Sequence, residues 1–215
     1  MMKKKALIIG SGGHSRVVIS IINEASLYDI VAIIDVSSKS SNDNSEFIKD
    51  IPVSNVSQLD EYYECGIDIA FIAIGDNDNR EHWYKKLNKQ FNLPNLISSS
   101  ASIDKSSFMG NSNVICSNCF IGPDSNIGNN NILNTSSIIE HEVKIFNNCH
   151  IAPSATICGR SLIKSNCFIG ANSTVIDKVS VAQSSTLGAG STLLKSIDEE
   201  NSTYVGSPAK KLSQI

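Results

Sequence analysis

From Ile103 to Leu193 every sixth residue is aliphatic or methionine, sixteen positions in succession: Ile103, Met109, Ile115, Ile121 and so on to Val181, Leu187 and Leu193. A period of six matches neither an amphipathic helix nor a half-buried strand. It suits a triangular coil in which each side is a short strand and each corner a tight turn. Three hexads then make one turn of 18 residues, and sixteen hexads give about five coils. The aliphatics point inward and stack on their counterparts 18 residues away. Four residues after each aliphatic comes a mostly small side chain, as at Ser107, Cys119, Ser125, Ser137, Ala155 and Cys167. Gly110, Gly122, Gly128, Gly170 and Gly188 recur in the same frame, and the small residues are expected to turn the corners. One exposed coil could not bury its apolar face, so stacking and assembly must stabilise the array.

Six cysteines bear on the same frame. Cys116 and Cys119 form a C-x-x-C pair, but no second pair or neighbouring histidine completes four metal ligands. Cys119, Cys149 and Cys167 fall on the small inward position and read as reduced packing residues. No metal is expected.

The chain has 215 residues, with 18 basic and 21 acidic side chains and a formal charge of −3. That balance offers no basic footprint for nucleic acid or for an anionic membrane. After Met1-Met2-Lys3-Lys4-Lys5 the apolar stretch ends at Gly10, too soon for a signal peptide. No run approaches a membrane span. The expectation is a cytoplasmic protein.

The first hundred residues have a different rhythm. Residues 5–10 read as a buried strand ending in the turn Gly10-Ser11-Gly12-Gly13-His14, followed by a helix from Ser15 to Ala25. A strand from Ile30 to Ile34 ends at Asp35. A polar Ser/Asn-rich loop covers residues 37–45, a shorter element surrounds Ile51-Pro52-Val53, and a strand from Ile67 to Ile74 closes on Gly75. Alternating strands and helices predict a small parallel α/β sheet, Rossmann-like, over residues 1–97, and the hexad array over 98–215 resembles the all-β left-handed parallel β-helix of the hexapeptide-repeat family. The G-x-G opening has Ser15 where a dinucleotide fingerprint has its third glycine, which argues against NAD. Free amides at a helix N-terminus favour phosphate, and ligands collect at strand C-terminal ends. Gly10, Gly12, Gly13, His14, Asp35 and Gly75 lie on that edge, a candidate site for a nucleotide diphosphate.

Asn134-Thr135-Ser136-Ser137-Ile138-Ile139-Glu140-His141-Glu142 is the most informative segment. His141 is two positions past the inward Ile139 and so faces outward. A general base needs a fixed tautomer and a pKa near the working pH, and an imidazole bonded to a carboxylate supplies both. Glu142 is the better placed orienter, with Glu140 next. His141 and His150 are half a coil apart, so a site using both draws them from adjoining subunits.

The chain as a whole resembles the sugar acetyltransferases that join a nucleotide-sugar domain to a hexapeptide-repeat β-helix. It is most similar to the bacterial enzymes that N-acetylate UDP-linked 4-amino-4,6-dideoxy sugars, as in bacillosamine synthesis. The resemblance rests on Gly10-x-Gly-Gly13-His14, on Phe71-Ile-Ala-Ile-Gly75 with Asn77 and Arg80, on Asn134 through Glu142, and on Gly206-Ser-Pro208-Ala-Lys210. It implies acetyl-CoA as cosubstrate, a nucleotide-linked amino sugar as acceptor, and a homotrimer with sites between subunits. It implies His141 as catalytic base supported by Glu142, and the Gly159 amide as oxyanion donor. His150, Gly159, Gly170, Gly188, Pro208 and Lys210 would then contact acetyl-CoA, while Asn77 and Arg80 join the nucleotide-sugar site. Three rivals share the fold: O-acetylation of a sialic-acid-type sugar, a γ-type carbonic anhydrase, and a non-catalytic binding protein. The second needs three histidine ligands per site, and the two here lack the close pair.

Overall fold

In the computed structural model, which describes residues 3–37 and 47–212, the chain divides into two units, Met1–Ser99 and Ser100–Ile215. The polar loop at 37–45 lies, beyond Ser37, outside the described residues. Among the described residues no helix is long and apolar enough to cross a membrane.

The N-terminal unit is the expected Rossmann-like α/β sheet. Its elements are β1 (Lys4–Ile9), α1 (Gly13–Ala25), β2 (Tyr28–Asp35), β3 (Phe47–Ile48), β4 (Ile51–Asn55), α2 (Leu59–Glu64), β5 (Ala70–Ile72) and α3 (Asn77–Leu87). Strand order is β3-β4-β2-β1-β5, parallel except for β3 against β4. In β1, Ala6-Leu7-Ile8-Ile9 is fully buried, as an inner parallel strand covered on both faces requires. Boundaries differ from the sequence expectation, β2 running from Tyr28 to Asp35 where 30–34 was expected. Helix α1 starts at Gly13, because the buried Ser15 hydroxyl donates to the Gly12 carbonyl at 2.7 Å and closes the first turn. Strand β5 is shorter than 67–74, since Asp68 and Ala70 take Asn92 as main-chain partner.

The second unit is the left-handed parallel β-helix. Two-residue strands stack on three faces, one running from Ser102–Ile103 to Thr192–Leu193, one from Phe108–Met109 to Ser180–Val181, and one onward from Val114–Ile115. The register is 18 residues from Ser102 to Leu193, as in Phe120↔Ile138↔Thr156, and falls to 17 where Thr186 pairs with Thr203. From Ile115 to Leu193 the sixth-position aliphatics are 0–2% exposed, and Cys119, Cys149 and Cys167 are buried among them as free thiols. Burial pushes Cys116 up to about 12 and Cys119 up to about 11, so both stay protonated packing groups.

The corners are not turned where the sequence expectation put them. The left-handed residue comes three places after the aliphatic and is rarely glycine: Asn118, Asp124, Asn130, Ser136, Glu142, Asn148 and their successors have φ of 55–62°. Asn and Asp tolerate this conformation because their short polar side chains bond locally. The glycines serve the coil spacing instead. A Cβ on Gly170 would lie 2.5 Å from the Ala189 nitrogen, and one on Gly128 would lie 2.8 Å from the Phe146 oxygen. One corner adds an asparagine ladder, with Asn130 Nδ2 donating to Asn148 Oδ1 at 2.7 Å and Asn148 Nδ2 to Asn166 Oδ1 at 2.5 Å. Gly170→Ala is therefore expected to destabilise the protein by about 1–3 kcal/mol, the usual cost of overpacking. An unchanged denaturation midpoint in that variant would show that the coils can spread without penalty.

Candidate active site

The corner between the strands Ile138–Ile139 and Lys144–Ile145 carries Glu140, His141 and Glu142. The Glu140 amide donates to Ile157 O, the Glu142 amide to Pro123 O, and His141 O accepts from Arg160 N, so the turn is pinned to the coils on both sides. Main-chain fixing of this kind leaves the side chains to project outward. His141 Nδ1 lies 3.0 Å from Glu142 Oε2, with the two side chains 44% and 52% exposed. A carboxylate at Nδ1 holds the proton there and leaves Nε2 as the acceptor.

Gly159 occupies the same place on the next coil. A Cβ there would sit 2.5 Å from both His141 Nε2 and Cε1, so the imidazole edge fills the space that any other residue would take. Asp177, one coil further, has Oδ1 3.2 Å from the same point. Among the described residues no acceptor takes the Gly159 N–H, whereas its carbonyl accepts from Lys178 N. The arrangement puts a proton acceptor against a residue whose main-chain N–H can donate.

His150 is on a different face, in the strand His150–Ile151, where its Nε2 lies 3.2 Å from Asn134 Nδ2 and its ring meets Phe168 edge-on at 5.2 Å. One chain thus keeps His141 and His150 apart. Gly170 and Gly188 have steric reasons of their own, the second because a Cβ would meet Val205 Cγ1 at 2.7 Å. Pro208 and Lys210 are exposed near the C-terminus, Lys210 in a two-residue strand antiparallel to Thr203–Val205.

The N-terminal unit has a cavity of about 410 Å³ at the carboxyl edge of its sheet, lined by residues that include Gly10, Gly12, Gly13, His14, Asp35 and Gly75. Gly10 has φ +108°, and a Cβ on it would lie 2.9 Å from Ile74 Cγ1, so this turn admits only glycine. Gly12, Gly13 and Gly75 face open space instead. Asp35 accepts from Ser11 Oγ at 2.8 Å and from the Ser37 amide and hydroxyl at 3.0 and 2.9 Å. Burial opposes its ionisation, but the bonds from Ser37 and Ser11 prevail and hold the carboxyl below its ordinary range.

Asn77 and Arg80 do not line the cavity. The buried Arg80 guanidinium donates to the Ile74 and Gly75 carbonyls at 3.3 and 3.0 Å and to Asn77 Oδ1 at 2.7 Å, which fixes the turn after β5. Asp76 and Asn79 line it in their place. Burial, with help from the Arg80 charge, pushes His14 down to about 4, so its imidazole is neutral near pH 7. Sequence reading also passed over Ser11 and Ser37, whose flanking of Gly10 and Asp35 was the available signal, and Asp177, which lies two 18-residue steps beyond His141.

The sequence profile described as the PglD N-terminal domain matches residues 5–87. No curated protein matches the chain in sequence. Among solved structures, the histidine-to-alanine variant of GDP-perosamine N-acetyltransferase from Caulobacter crescentus, in complex with CoA and GDP-perosamine, is similar at TM-score 0.91 and 27% identity, over 98% of this chain and 97% of that one. The acetyltransferase domain of PglB from Neisseria gonorrhoeae, in complex with acetyl coenzyme A, is similar at TM-score 0.88 and 26% identity, over 98% and 100% of the two chains. WeeI from Acinetobacter baumannii, at TM-score 0.64 and 16% identity, shares the fold. In architecture this chain is therefore similar to sugar N-acetyltransferases of the bacillosamine and perosamine type, and its residues 5–87 match the PglD N-terminal domain.

Proposed function

We propose that the protein transfers the acetyl group of acetyl-CoA to the 4-amino group of a nucleotide-linked 4-amino-4,6-dideoxy sugar. The observation that carries this reading is the His141–Glu142 pair, with the Nε2 edge of the imidazole lying over Gly159. His141 Nε2 accepts the proton of the acceptor nitrogen as that nitrogen attacks the thioester carbonyl. The Gly159 N–H receives the developing oxyanion. Collapse of the tetrahedral intermediate forms the amide, and the departing thiolate takes its proton from the imidazolium. Glu142 keeps His141 in the required tautomer and steadies it while it is charged. No covalent acyl-enzyme is needed, so Cys149 and Cys158 have no chemical part.

The cavity at the N-terminus of α1 suits the nucleotide diphosphate. Its floor has open glycines for close approach of phosphate, and neutral His14 offers a hydrogen bond without demanding a counter-ion. His150, Gly159, Gly170 and Gly188 are the reading for acetyl-CoA, with Pro208 and Lys210 near the C-terminal end. Because His150 and His141 sit on different faces, the complete site takes one from each of two subunits of a homotrimer. We place the reaction in the cytoplasm, in keeping with acetyl-CoA as donor.

His141→Ala is expected to lower turnover by roughly 10²–10⁴-fold, the range for a general base, with the β-helix still folded by circular dichroism. Full activity in that variant would remove the assignment. A panel of UDP-, dTDP- and GDP-linked 4-amino sugars, with CMP-sialate beside them, should release free thiol from acetyl-CoA with an amino sugar; release with CMP-sialate alone would make the protein an O-acetyltransferase. Light scattering at assay concentration should give three times the chain mass, and a monomer would contradict the shared site.

A further inference from the structure

The left-handed corner column that contains Glu142 is charged along its length: Asp124, Glu142, Arg160 and Lys178 follow one another at 18-residue spacing, all at φ of 57–62°. Adjacent coils are about 4.8 Å apart, so a long side chain in this column can reach the coil on either side. Arg160 is stacked directly after Glu142, its amide donating to His141 O at 3.0 Å. Its guanidinium could pair with Glu142 on the preceding coil or with Asp177 on the following one. It is turned to Asp177, with Nη2 at 3.1 Å and Nε at 3.4 Å from Oδ1. Lys178 Nζ adds a contact to Asp177 Oδ2 at 3.5 Å. Glu142 is paired with His141.

We propose that Asp177 is a positioning residue for acetyl transfer, which by drawing Arg160 toward the following coil reserves the Glu142 carboxylate for His141 Nδ1. The idea rests on His141 being the base. The titratable groups at the positions around His141 are Glu140 and Glu142 on its own turn, Asp124 on the coil before, Cys158 and Arg160 on the coil after, and Asp177 and Lys178 beyond them; of these Glu142 bonds its Nδ1. Arg160 is the cation on the coil next to Glu142, and a shift of its guanidinium would take the orienting acceptor from the imidazole. Asp177 is well suited to hold it. Burial opposes its ionisation, but the bond and charge of Arg160, then Lys178, outweigh that and keep its carboxyl below the usual range.

The test is a set of pH–rate profiles for kcat/KM on the intact protein, with an amino sugar that the wild-type protein acetylates. Asp177→Ala should lower the plateau on the order of ten-fold, part of what a general base contributes, and move the acid limb toward lower pH as positive charge nears the imidazole. Asp177→Glu should restore most of the activity. The deciding variant is Arg160→Ala combined with Asp177→Ala, which removes the competing cation and should recover most of the loss. A merely structural role for the ion pair would leave the double variant no better than the single one. That result, or a wild-type profile for Asp177→Ala, overturns the proposal. If His141→Ala is inactive while Asp177→Ala is unaffected, only the role of Asp177 falls; if His141→Ala is fully active, both fall.

Discussion

Coil-to-coil main-chain hydrogen bonding at an 18-residue register controls where every outward side chain in the β-helix can stand. Bonds such as Glu140 N to Ile157 O and Arg160 N to His141 O leave no freedom to slide, because a shifted coil would turn the inward aliphatics toward water. Columns, more than neighbours in sequence, are therefore the units of chemistry. His141, Gly159 and Asp177 form one such column, and Glu142, Arg160 and Lys178 the next. The glycine at 159 follows from this geometry: the Cε1–Nε2 edge of the His141 ring occupies the place of its side chain. The same register sets Gly159 directly against Nε2.

In the N-terminal unit the organising feature is a buried cation. Arg80 is 1% exposed, and its hydrogen bonds go to the carbonyls of Ile74 and Gly75 and to Asn77. A guanidinium out of water is tolerated when its donors are satisfied. Here satisfying them fixes the turn that borders the cavity, and the charge behind that turn favours an anion in front of it. His14 feels the same charge and remains neutral. The cavity thus has main-chain donors and a remote positive charge, with Asp35 at its other side held ionised by Ser11 and Ser37. A diphosphate with a sugar hydroxyl group near a carboxylate fits that distribution.

Most of the architecture was legible in the sequence because its signals are periodic. The hexad from Ile103 to Leu193 dictates the inward positions, and the outward placing of His141 follows by counting from Ile139. The glycine of the first turn was legible too, since Gly10 is needed for a backbone that other residues do not adopt. The corner residues were not. Expecting glycine to make the bends was reasonable, but left-handed conformation is open to Asn, Asp and Ser, and glycine was needed for coil spacing. Arg80 was legible only as a motif residue; that its guanidinium turns inward to its own loop depends on packing no local pattern encodes. Asp177 could have been found by applying the 18-residue step a second time from His141.

The composition of the corners carries a final argument. Elsewhere the left-handed position is mostly Asn or Ser, as at Asn118, Asn130, Ser136, Asn148, Ser154, Asn166 and Asn172, where the local preference and the fold agree. At the corner of His141 the same position holds Glu142, Arg160 and Lys178, which have no short side chain to ease the strain. Left-handed backbone costs such residues roughly 1 kcal/mol each. Local choices that disagree with the fold are tolerated where function needs them. From this corner the Glu142 carboxylate reaches the residue just before it, with Oε2 3.0 Å from His141 Nδ1. An asparagine would relax the corner, but its amide would carry no charge to stabilise the imidazolium.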